Sequence, residues 1–142
     1  IIELLNKKVL TDKIPFLGIC LGMQLTAEVG LEFGEHSGLG WIDGKVEQMD
    51  VKKLRLPHMG WNEISTKGHP ILADISNKNF YFAHSYYLTT KNKEIVIANC
   101  NYGFSFPAII QKGNIFGTQF HPEKSQSSGL KLLENFLNFK DE

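Results

Sequence analysis

The stretch "PFLGICLGMQL", residues 15–25, sets a cysteine between two glycines at the point where an apolar run gives way to a helix-like one. The preceding run "IPFLGI" (14–19) is short, continuous and apolar, as a buried parallel strand requires. The following "LGMQLTAEV" (21–29) reads as a helix, with Gly30 as its stop. A nucleophile at a sharp strand-to-helix turn sits in a strained backbone, and its neighbours at two residues before and after must be small, because the turn brings them together. Gly18 and Gly22 meet that condition around Cys20. Such a turn exposes the sulfur above the sheet, sets it at a helix N-terminus whose dipole favours thiolate, and aims the Leu21 N–H at an oxyanion forming on the attacked carbonyl. The competing reading is a buried cysteine in an ordinary glycine turn.

A thiol nucleophile needs a base, and the base needs an orienting group. Five histidines are available: His36, His58, His69, His84 and His121. His121 begins "HPEKS" directly after the strand-like "NIFGTQF". Residues two apart in an extended segment project to one side, and Pro122 stiffens the link, so Glu123 is placed to hold the imidazole. His84, in "FAHSYY", is the competitor but lacks a nearby carboxylate in sequence. Cys100, in "ANCNYG", has neither glycine elbow nor adjacent base and reads as a buried or strand-end thiol.

Working outward, 31–40 reads as loop, "WIDGKVEQM" (41–49) as a strand weakened at Gly44, and "PHMGWNEIS" (57–65) as an extended segment bent by Pro57 and Gly60. Strands are predicted at 79–88, 94–100, 107–111 and 114–120, the last two joined by the hairpin signal "QKGN". A closing helix is predicted over 127–139, with Leu130, Leu133, Phe136 and Leu137 on one face and Ser127 or Ser128 as cap. No repeat or linker divides the 142 residues, so one α/β domain is expected, parallel at its start and with antiparallel hairpins later.

The formal net charge is zero, which argues against a nucleic-acid binder. No apolar run reaches a membrane-spanning length of about 20 residues, and no secretory signal is visible. Two distant cysteines make neither a disulfide framework nor a metal cluster, so the expectation is a cytoplasmic protein without metal or cofactor. The opening "IIELLNKKVL" has Ile1, Ile2 and Leu5 on one helical face, like the tail of an amphipathic helix already in progress, so residues preceding Ile1 are expected in the natural protein.

"GICLGMQL" together with "GTQFHPEKS" resembles the class I, triad-type glutamine amidotransferases. "LRLPHMGWNEI" (54–64) and "FYFAHSYY" (80–87) look, within that family, most like the glutaminase subunit of imidazole glycerol phosphate synthase in histidine biosynthesis. The resemblance implies the single-domain class I amidotransferase fold, an α/β mixed, mostly parallel sheet flanked by helices, with Cys20 attacking the carboxamide of L-glutamine and His121 and Glu123 completing the triad. It implies glutamine contacts at Gln24, Glu32, Ser85 and Tyr86, and the oxyanion amide at Leu21. It also implies a heterodimer with a synthase (cyclase) subunit, docked through Met59, Trp61 and Lys124, that consumes the ammonia. Members of the family carry a glycine-rich oxyanion loop upstream of the nucleophile. That loop and the first βαβ unit are not found in this sequence, so 1–142 is expected to be an N-terminally incomplete amidotransferase domain.

Three other readings stay open. Paralogues of this subunit supply ammonia to sugar-modifying enzymes of surface-polysaccharide pathways. A cysteine hydrolase or peptidase shares the elbow but gives no reason for "HPEKS" with "PHMGWN". A catalytically silent binding subunit gives no reason for Cys20, His121 and Glu123 to stand together in one chain.

Overall fold

The computed structural model describes residues 1–140. Helix α1 (Ile2–Asn6) and a wider π turn (Lys7–Thr11) lead into strand β1 (Phe16–Ile19). Helix α2 (Leu21–Gln24) follows, then β2 (Ala27–Gly30), β3 (His36–Ser37), β4 (Ile42–Gln48) and β5 (His58–Thr66). After these come β6 (Asn79–His84), β7 (Tyr86–Thr90), β8 (Val96–Asn101), β9 (Ser105–Lys112), β10 (Ile115–Thr118) and helix α3 (Gln126–Leu137).

The strands form two sheets. One has the order β1-β10-β9-β8-β5-β6, the other β3-β2-β4-β7. The architecture is α/β with mixed sheets; the later hairpins run antiparallel as the residue pattern indicates, but the sheets are not mostly parallel as the family resemblance implies. Only β1–β10 and β2–β4 pair in parallel among the described residues. The rest are antiparallel, because short connections such as Gly113–Asn114 return the chain as hairpins, which a parallel crossover cannot use.

Three local expectations change. The helix predicted over 21–29 stops at Gln24, where the Thr26 hydroxyl and amide both take the Met23 carbonyl. Ala27–Gly30 then pairs with β4, so Gly30 lies in a strand rather than at a helix end. The strand predicted over 79–88 breaks at Ser85, and its halves belong to different sheets. Helix α3 buries Ser128, Gly129 and Leu132, while Leu130 and Leu137 face solvent. Neither Ser127 nor Ser128 caps it. Ser125 stands at the cap position without a side-chain bond there, and the Ser128 hydroxyl donates to the Asn77 carbonyl at 2.7 Å.

Two apolar clusters hold these elements. Phe80, Phe82, Phe106, Phe116, Phe120 and Leu132 join the larger sheet to α3. Phe80 and Phe120 stack at 4.2 Å, and Phe82 meets Phe120 edge-on at 5.6 Å. The second cluster, with Met23, Ile42, Val46, Leu88 and Ile110, ties the smaller sheet to α2 and to the β9–β10 region. Gly18 pairs with Gly117 across β1 and β10. A Cβ on Gly117 would lie 2.7 Å from Met23 Cγ, so this glycine lets α2 settle directly on the sheet.

Phe82, on β6, is fully buried among these aromatics. Phe82→Ala should therefore lower the unfolding free energy by about 3–5 kcal/mol in urea titrations. A loss below about 1 kcal/mol would show that the cluster collapses to fill the hole.

Candidate active site

The turn after β1 gives Cys20 φ 53° and ψ −105°, a left-handed region that a non-glycine residue rarely occupies. Its amide donates to the Thr118 carbonyl at 2.7 Å and its carbonyl accepts from the Gln24 amide, so backbone bonds on both sides hold the strained residue. A Cβ on Gly18 would lie 2.5 Å from the Gly22 carbonyl carbon, which explains the first glycine. The second has a different standing. A Cβ on Gly22 would meet open space, so the close approach is made by its backbone and not by its lack of a side chain.

The expected low thiol pKa is corrected. Burial raises Cys20 above its ordinary value and prevails over the Leu21 N–H. The Glu123 carboxylate raises it further; the Gln119 amide and Lys124 act in the opposite direction. A four-residue helix carries too little dipole to reverse this. Cys20 is therefore a neutral thiol at rest, hydrogen-bonded to the Ala83 carbonyl at 3.9 Å, and it needs a base.

His121 Nδ1 lies 2.6 Å from Glu123 Oε1. The carboxylate accepts, so Nδ1 carries a proton and Glu123 fixes the ring's orientation. The pair forms in a 3₁₀ turn (Pro122–Lys124) rather than on one side of an extended segment. That turn is anchored: the His121 amide donates to the Tyr81 carbonyl at 2.9 Å, and the Ser125 hydroxyl bridges the His121 carbonyl and the Tyr81 amide. A Cβ on Gly129 would lie 1.8 Å from the Pro122 carbonyl oxygen, so α3 is pressed against the same turn. Sequence reasoning passed over Ser125 and Gly129.

Beside the thiol opens a cavity of about 370 Å³, lined by Cys20, Leu21, Gln24, Glu32, Met59 and Ser85 among others, with Tyr86 and His84 on its wall. Residues far apart in sequence meet there because the chain leaves the larger sheet at Ser85 and enters the smaller one at Tyr86. On β5, Met59 and Trp61 point outward, 63% and 50% exposed, and Lys124 is exposed on its turn. Trp61 is thus not a core residue; its one aromatic neighbour among the described residues is Tyr81, edge-on at 6.1 Å.

His84 is occupied elsewhere. Its Nδ1 donates to the Tyr86 carbonyl at 2.8 Å, which leaves Nε2 as an acceptor for His58 Nδ1–H at 2.9 Å. His58 Nε2 then accepts from the Asn62 amide at 3.2 Å. Both rings are buried, and burial pushes each imidazole from 6.5 down to about 4. Cys100 is buried in β8, and its thiol is pushed up to about 12 by the same cause.

The histidine pair makes folding sensitive to acid. Its folded pKa values lie below the unfolded ones, so its stabilisation is complete above about 6.5 and is lost as pH falls toward about 4. At about pH 5 the loss should be on the order of 2 kcal/mol per histidine. Urea unfolding at about pH 7 and about pH 5 measures it, and His84→Gln should flatten the pH dependence. A wild-type stability unchanged between those pH values would mean that the pair accepts protons while folded.

No helix among the described residues is long and apolar enough to cross a membrane, and no group of three or more His, Cys, Asp or Glu there could hold a metal ion.

The glutamine amidotransferase class-I family description matches residues 2–139. The chain is 48% identical over 142 residues to the imidazole glycerol phosphate synthase subunit HisH of Pelagibacter ubique, covering 97% of this chain and 68% of that protein. It is 53% identical over 139 residues to HisH 1 of Campylobacter jejuni, covering 96% and 69%. A Thermotoga maritima glutamine amidotransferase structure superposes with TM-score 0.61 at 16% identity, over 95% of this chain and 52% of that one, which speaks for the fold. The elbow at Cys20, the His121–Glu123 turn and this family match agree: the chain belongs to the class-I glutamine amidotransferases.

Proposed function

We propose that the chain is the glutaminase subunit of imidazole glycerol phosphate synthase, releasing ammonia from L-glutamine for a synthase subunit in histidine biosynthesis. The observation that carries the chemistry is the strained Cys20 beside a cavity shared with Gln24, Glu32, Ser85 and Tyr86, with the carboxylate of the His121–Glu123 pair close enough to act on its thiol. The choice of synthase rests on the relatives named HisH.

Substrate glutamine enters the cavity, with Gln24, Glu32, Ser85 and Tyr86 holding its amino-acid end. His121 Nε2 takes the Cys20 proton as the sulfur attacks the carboxamide carbon, while Glu123 stabilises the imidazolium through Nδ1–H. The C–S bond forms as the carbonyl π pair moves to oxygen, where the Leu21 N–H supports the negative charge. His121 returns the proton to nitrogen, the C–N bond breaks, and ammonia leaves a glutamyl thioester. Water, deprotonated by the same imidazole, attacks the thioester and releases glutamate and the thiol. Met59, Trp61 and Lys124 form the face that docks the synthase subunit in a heterodimer. The free thiols Cys20 and Cys100 suit a reducing cytoplasm.

Glutamate release by the chain with its synthase subunit tests this. Cys20→Ser should abolish it with the fold intact, and His121→Asn should lower it by at least about 100-fold, more than Glu123→Gln. A glutamine-like electrophile should label Cys20. Retained turnover in Cys20→Ser, or labelling at Cys100, would remove Cys20 from the nucleophile's role. Ammonia transfer to a sugar acceptor and not to the imidazole product would redirect the chain to the polysaccharide paralogues.

The docking face has its own test. Lys124 follows Glu123 directly, so pressure on this face reaches the catalytic pair through one residue. Trp61→Ala and Lys124→Ala should reduce partner-stimulated turnover more than basal turnover, with Trp61→Ala costing about 2 kcal/mol of partner affinity. An unchanged stimulation ratio in both variants would take signal transmission away from this face.

A further inference from the structure

One fully buried amide touches the Cys20 sulfur and belongs to none of the roles above. Gln119 sits between β10 and His121, its side chain closed off from solvent. Its Nε2 lies 3.6 Å from Cys20 Sγ, and its Oε1 lies 3.2 Å from Gln24 Nε2.

The orientation of this amide follows from its neighbours. A backbone carbonyl only accepts, so the Tyr86 carbonyl fixes the side chain that meets it. Gln24 donates to that carbonyl through Nε2 at 3.0 Å. The same NH₂ group faces Gln119, which must present its oxygen there. The Gln119 NH₂ is then turned to the sulfur. The Tyr86 carbonyl also accepts from His84 Nδ1, so its position is held from the other side by the His58–His84 pair. On the main chain, the Gln119 amide donates to the Ala108 carbonyl at 2.9 Å, which fixes the stem of the side chain.

We propose that Gln119 is a positioning residue for the nucleophile: oriented through Gln24 by the Tyr86 carbonyl, its amide donates to Cys20 Sγ, aims the sulfur and stabilises the thiolate that attacks. This rests on the reading of Cys20 as the nucleophile. The other groups acting on the sulfur are the Leu21 N–H from α2, the Ala83 carbonyl from β6, and Glu123 and Lys124 from the turn that bears His121. Of the neutral side chains among the described residues, Gln119 is the one that donates to it. A neutral donor supports negative charge on sulfur without forming an ion pair that would hold the thiolate back from attack. A purely structural glutamine would fill the same space but leave the titration of the thiol unchanged.

The test is the pH profile of Cys20 alkylation by iodoacetamide, followed on the Cys20 peptide by mass spectrometry, with the Cys100 peptide as internal control. The reaction forms an S–C bond, expels iodide and gives the thiol proton to solvent, so its rate follows the thiolate fraction without needing glutamine or a partner. Gln119→Met and Gln119→Leu, of similar size but without a donor, should each move the profile upward by about one pH unit, about tenfold slower below the midpoint. Gln24→Met, which releases the orienting bond, should move it in the same direction by less. In glutamine turnover, the Gln119 variants should lower kcat with little change in KM. Variants that melt like wild type and keep its alkylation profile would overturn the proposal. If both Gln119 variants fail to fold, an unchanged profile in Gln24→Met overturns it. Loss of the glutaminase reading would appear separately, as glutamate release retained by Cys20→Ser.

Discussion

The contact on which the site depends is the approach of Gly18 to the backbone of Gly22 and Met23. With any side chain at 18, the Cβ would stand 2.5 Å from the Gly22 carbonyl, and the turn at Cys20 would have to open. Opening it would release the positive φ that lifts the sulfur off the sheet. The turn also brings Met23 down onto Gly117, the partner of Gly18 across β1 and β10. The geometry of the elbow and the core packing therefore share one pair of strands. Strain at Cys20 is held by the Thr118 carbonyl below it and by fully buried side chains around it.

Electrostatically the site is less primed than a cysteine at a helix end would suggest. Burial keeps the thiol neutral, and the local helix is too short to offset it. In the proposed mechanism the imidazole of His121 must in consequence remove a proton from Cys20, not merely accompany a thiolate already formed. Polar order around the cavity comes from the Tyr86 carbonyl, the acceptor shared by His84 and Gln24. Through it the tautomers of two buried histidines and the orientation of two glutamine amides are set together. The inner face of β5, bearing His58 and Asn62, takes part in this network, while the outer face of the same strand presents Met59 and Trp61. Alternation along one strand thus connects a polar interior with an apolar surface.

The sequence alone determined the elbow, the single α/β domain and the pairing of His121 with Glu123, because each depends on residues adjacent or nearly adjacent in the chain. Gly-x-Cys-x-Gly and His-Pro-Glu are local geometries, and alternating apolar runs announce their strands. Reading "LTAEV" as helix failed because the Thr26 side chain and the pairing with β4 outweigh local propensity. The break at Ser85 was hidden inside a continuous run of strand-forming residues. Only the tertiary structure decided which polar residues meet the sulfur. Gln119 reads in sequence as one more strand residue, and Ser125 and Gly129 as an ordinary helix start. Their places depend on contacts with Gln24, Tyr81 and Pro122, separated from them in the chain and brought together only by the fold. The titration of Cys20 was likewise beyond the sequence, since burial in the folded chain, and not residue type, sets its direction.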